Sequence, residues 1–97
     1  MAAVQIRGMT AFSFTTTRPP SAVLAEVESI VAQFAAQTPC VLDTKVDMDS
    51  DHSIWVEVGI AATLLADADQ AMDTLCAKIT SQFSNEVQER ATELVPA

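Results

Sequence analysis

The sequence predicts an α+β domain built as a two-layer sandwich, with helices laid over one face of a small sheet. Three patterns carry the prediction. Residues 41–63, VLDTKVDMDSDHSIWVEVGIAAT, hold two runs of alternating apolar and polar residues around an acidic turn. Residues 23–34 and 68–83 each repeat apolar side chains at three- and four-residue spacing, the stripe of an amphipathic helix. A hairpin with a single apolar face is not stable alone in water, and the two stripes are the surfaces able to cover it.

Taken in order, the even positions from Val4 to Thr16 read Val, Ile, Gly, Thr, Phe, Phe, Thr. Side chains of a strand alternate faces, so Phe12 and Phe14 are expected in the core. The strand proper is expected from about Met9, with Ala2 to Arg7 as a frayed arm, and Gly8 marks a bulge or kink. Arg18-Pro19-Pro20-Ser21 ends the strand, because proline cannot donate to a ladder. Ser21 is then the expected N-cap of a helix whose stripe is Val23, Leu24, Val27, Ile30, Val31 and Phe34. Glu26 lies in its positive N-terminal half, and Thr38-Pro39 stops it.

In the hairpin, Leu42, Thr44, Val46 and Met48 share one side of the first run. Ile54, Val56, Val58 and Ile60 share one side of the second, leaving Trp55, Glu57 and Gly59 on the other. Asp67 with Gln70 fits a capping box for the second helix, whose stripe is Ala68, Met72, Leu75, Ile79 and Phe83, flanked by Ala71 and Cys76. The tail, 86–95, admits two readings. Val87, Ala91 and Leu94 keep helical spacing and Glu86 with Arg90 forms an i, i+4 pair, which favours a helix extension. A strand would place Val, Glu, Ala, Glu and Val on one face, a poor pattern for an edge strand.

The order strand, helix, strand, strand, helix, closed by a helix extension or an edge strand, resembles the split β-α-β, ferredoxin-like sandwich. A right-handed crossover sets the first and second strands parallel, and the hairpin supplies the third. The resemblance is architectural, since no segment carries a family motif. Residues 1–97 read as one domain, long enough to bury roughly 60–70% of the unfolded surface.

Thirteen acidic residues against five basic ones give a formal net charge of -8. Such a surface repels phosphate backbones and anionic headgroups, so nucleic acid and membrane are excluded as partners. The N-terminus shows neither a cleavage-site pattern nor an apolar run able to span a bilayer, and a cytoplasmic location is expected. Cys40 and Cys76 have no CxxC spacing and fall in buried periods, which makes them core residues. No phosphate loop, catalytic triad or cofactor motif is present, so no cofactor is expected.

Two groups remain as candidates. The turn Asp47-Met48-Asp49-Ser50-Asp51-His52 begins like a calcium loop but has His52 where glycine is needed and Val58 where a glutamate is needed. Asp47, Asp49 and Asp51 therefore amount to a weak cation site, and His52 to a surface imidazole. The second group is the outer sheet side, where Trp55 and Val41 stand among Ala11, Ser13 and Thr15, with Lys45, Asp43 and Glu57 around them. An aromatic among small residues, rimmed by charge, has the anatomy of an interface, with Trp55, Val41, Ser13 and Glu57 as its residues.

The sequence accordingly leads to a small acidic protein-interaction module without chemistry of its own. It is expected to dimerise through the outer face around Trp55 or to bind another protein there. The alternative is a small-ligand-binding domain with its pocket at the open sheet face or the dimer interface. An enzyme of dimeric ferredoxin-like type ranks third, and it requires His52 or an acidic residue to line an enclosed cavity.

Overall fold

The alternation of residues 4–14 and 54–62 becomes the two central strands of an antiparallel sheet in the computed structural model, which describes residues 4–15, 18–49, 53–83 and 87–96. The elements run β1 (Val4–Phe14), α1 (Pro20–Gln37), β2 (Val41–Met48), β3 (Ile54–Ala62), α2 (Leu65–Phe83) and β4 (Val87–Pro96). The strand order is β2-β3-β1-β4, and every ladder is antiparallel. β1 and β2 thus run in the same direction with β3 between them, which is the ferredoxin-like arrangement.

Both helices cover the face that carries Ile6, Gly8, Thr10 and Phe12 of β1. From α1 come Val23, Val27, Val31 and Phe34; from α2, Ala68, Met72, Leu75, Cys76, Ile79 and Phe83. These meet Phe12, Ile54, Val56, Val58 and Ile60 in one continuous core. Each fully buried large side chain contributes roughly 1.5–3 kcal/mol to folding, so this layer is what holds the sheet. Phe14 closes one end, edge-on to Phe83 with ring centroids 5.0 Å apart. Arg18 lies over the Phe83 ring at 5.2 Å and pairs with Glu26 at 2.8 Å, pinning the β1–α1 connection to both helices.

Several local expectations change. β1 begins at Val4, because Val4 to Arg7 pair with Ala62 to Gly59 and form no loose arm. Gly8 causes no bulge. It lies under Met72, where a Cβ would come within 2.5 Å of the thioether sulfur. The N-cap of α1 is Pro19, with Pro20 at the first helical position and Ser21 inside the first turn. Pro19's carbonyl accepts from the Ala22 and Val23 amides instead. α2 starts at Leu65, three residues before the Ala68 that the capping-box reading implies, which leaves Asp67 in the first turn where a carboxylate suits the helix dipole.

The main correction concerns the tail, which is strand β4 along the free edge of β1 and not a helix extension. The pairing Ala11↔Ala91 is followed by Phe12↔Glu89, so Arg90 is an extra residue in the ladder. A bulge of one residue exchanges the two faces of a strand. Val87 and Leu94, seven apart, therefore both reach the core side. The pattern looked poor for a strand only because unbroken alternation was assumed.

Candidate functional site

The face of the sheet turned away from the helices is built by the odd residues of β1 and β3. Among the described residues no element lies over it. Trp55 stands here 43% exposed, across from Ala11 on β1 and Asp47 on β2. Ala11 is only 2% exposed and stands between Trp55 of β3 and Ala91 of β4 in the ladder. Ser13 pairs with Gln88 of β4, and Glu57 with Met9 and Lys45. Of the residues expected on this face, Trp55, Ser13 and Glu57 are brought together.

Val41 is not among them. The register shifts between Val41 and Asp43, so Val41 pairs with Ile60 and packs against the core while Leu42 is left 52% exposed. This second one-residue irregularity exchanges the sides of the two residues relative to plain alternation.

The acidic turn serves the hairpin. Asp49 Oδ1 accepts from the Ser53 amide at 3.0 Å, and its Oδ2 accepts from Trp55 Nε1 at 3.1 Å. The Asp49 amide donates back to the Ser53 carbonyl at 3.0 Å. One carboxylate thus closes the hairpin and fixes the indole. Asp47 pairs with Lys45 at 3.4 Å. Among the described residues no group of side chains is arranged to hold a metal ion. Asp51 and His52 lie outside the described residues.

A further cluster on this face went unread in the sequence. Arg7, Gly59 and Asp43 occupy one row across β1, β3 and β2. Arg7 Nη2 donates to both Asp43 oxygens, at 3.2 and 3.3 Å, and Nη1 lies 3.5 Å from Glu57 Oε2. The ion pair crosses above the glycine, because a Cβ there would stand 2.8 Å from Asp43 Oδ1. The available signal was Arg7's odd position on a strand, which a correct β1 start would have put on the same side as Trp55.

On the opposite, helical side two open depressions of about 250 and 260 Å³ lie between α1 and α2 and share Phe34. They are lined largely by polar helix residues such as Gln33, Gln37, Lys78 and Gln70. Inside the core, the buried Cys76 thiol lies 3.6 Å from the Thr10 hydroxyl, and Cys40 packs at the core margin. Both cysteines are the packing residues the sequence predicts.

The sequence matches no protein-family profile and no curated protein. Solved structures do match, over nearly the whole chain. A dimeric ferredoxin-like protein of unknown function from Thermobifida fusca superposes with a TM-score of 0.69 at 13% identity, covering 97% of this chain and 92% of that one. A conserved protein of unknown function from Bacteroides thetaiotaomicron gives 0.69 at 8% identity, covering 97% and 98%. SnoaB, a cofactor-independent oxygenase from Streptomyces nogalater, gives 0.62 at 15%, covering 98% and 94%. The likeness is one of fold. It corrects the expectation of a non-enzymatic adaptor, since the chains that share this architecture include a cofactor-independent oxygenase. No helix among the described residues is long and apolar enough to cross a membrane.

Proposed function

We propose that this chain is a small-molecule-binding subunit of a homodimer, with two copies meeting through the outer sheet face and an apolar or aromatic ligand lying against Trp55. The observation that carries the reading is the state of the indole. Trp55 is exposed, yet its only polar group already donates to Asp49. What it presents outward is ring surface, which offers stacking and apolar contact and no hydrogen bond. Small side chains beside it at Ala11 and Ser13 leave room for a flat ligand. The likeness to a chain described as dimeric and to a cofactor-independent oxygenase supports the same reading.

Trp55 is the chain's single tryptophan, so its emission reports on this site alone. Titration with 1-naphthol is expected to quench it saturably, while cyclohexanol, apolar but not aromatic, has a weaker effect. Trp55→Ser, followed by calorimetry, should lose most of the binding and keep the far-UV circular dichroism of the parent. Purely linear, collisional quenching in the parent, or equal heats for Trp55→Ser, would overturn the assignment.

A further inference from the structure

We infer that Arg7, paired with Gly59 in the ladder and held between Asp43 and Glu57, is the residue that sets how the two copies register on each other. The inference rests on the homodimer reading above and adds to it where and how the faces lock. The occupant of this surface is a second copy of the same chain, and charge indicates why. The solvent sides of the helices carry Glu28, Asp67, Asp69 and Asp73 against Lys78, so two helix faces would repel. The outer sheet face interleaves both signs, with Arg7 and Lys45 among Asp43, Asp47 and Glu57. An isologous interface must be complementary to itself, and a patch of interleaved sign meets that condition where a single-sign patch does not.

The cluster is also built for a fixed position. Arg7 lies on a central strand, its side chain only 32% exposed although no layer covers it, while the Asp43 side chain is 59% exposed. Asp43 reaches Arg7 because the residue between them has no side chain. The guanidinium has five donors and the carboxylates have lone pairs beyond those used here, so both sides keep capacity for a partner. Covered by a second sheet, such a cluster specifies register more than it adds affinity. Removing Arg7 would leave Asp43 and Glu57 of each copy confronting one another without their cation.

Sedimentation equilibrium on the full chain tests this, using Arg7→Ala, Gly59→Ala and, as a charge-matched control at the sheet edge, Lys45→Ala. The expected result is a rise of about tenfold or more in the dimer dissociation constant for Arg7→Ala. Gly59→Ala, which keeps every charge and displaces Asp43, should shift it in the same direction. Lys45→Ala should change it much less, and all three should keep the parent's circular dichroism. If Arg7→Ala matches the parent, or if Arg7→Ala and Lys45→Ala weaken the dimer equally, net charge alone matters and the inference fails. A parent that is monomeric at every concentration sinks the dimer reading itself, a different and recognisable outcome.

Discussion

Gly8→Ala probes the helix–sheet contact most directly. A Cβ at that position would lie 2.5 Å from Met72 Sδ, 2.8 Å from Cγ and 3.0 Å from Cε. Non-bonded heavy atoms settle at about 3.5–4.0 Å, so the thioether has to retreat by about 1 Å. Met72 is fully buried among Ala68, Leu75 and Ile79, all equally buried, which leaves it little space. Overpacking a filled core costs about 1–3 kcal/mol. Alanine returns about 0.5–1 kcal/mol by restricting the unfolded chain. The net expectation is a loss of about 1–2 kcal/mol, or roughly 5–15 °C in Tm for a domain of this size. Urea unfolding monitored by Trp55 emission measures it, with an unchanged m-value showing that the unfolded state is not the cause. In a Met72→Ala background the clashing atoms are gone, and Gly8→Ala should then be neutral or mildly stabilising. The same loss in both backgrounds would refute the assignment to Met72 and place the cost in the backbone.

Two further perturbations separate the hairpin from the edge. Asp49→Ala removes the acceptor for both the Ser53 amide and the indole of Trp55; about 1 kcal/mol of hairpin closure and a faster decay of Trp55 fluorescence anisotropy are expected, and unchanged anisotropy would mean that the indole is held by packing alone. Deleting Arg90 removes the extra residue from β4 and leaves Val87 and Leu94 six apart, still on one face under plain alternation. The deletion should destabilise less than Leu94→Ala, as read by thermal unfolding, because it straightens the ladder without moving any residue to the other face, and a larger loss would show that the bulge itself is needed.

The core was legible because its periods are local. Phe12, the four inward residues of β3 and the stripes of both helices all sit where alternation or 3.6-residue spacing places them. What the periods could not show is where one residue is added. Val87 and Leu94, seven apart, satisfy a helix and equally a strand with one bulge. Choosing between them requires the free edge of β1, a contact some eighty residues away in the chain. At Val41 and Leu42 the same ambiguity moved one residue off the outer face and left the other in solvent. Both of these errors came from extending a period through an irregularity that long-range pairing decides.

The functional face was less legible because strand pairing, not a local period, sets its contacts: Trp55 reaches Asp49 across the hairpin, and Arg7 reaches Asp43 on another strand. The chain's two glycines give a way to separate fold from site. Gly8 and Gly59 lie on neighbouring rungs of the β1–β3 ladder and on opposite faces. Gly8 makes room for a core thioether, and Gly59 makes room for an exposed carboxylate. Alanine at position 8 confronts buried atoms and should lower stability while leaving association unchanged. Alanine at position 59 confronts a side chain that can swing into water, so stability should change by no more than about 1 kcal/mol, the scale of an exposed ion pair. Its effect should appear in the dimer constant instead. If Gly59→Ala costs as much stability as Gly8→Ala and leaves association untouched, the cluster over Gly59 is only part of the fold. Opposite responses at two adjacent rungs would assign one face to folding and the other to function.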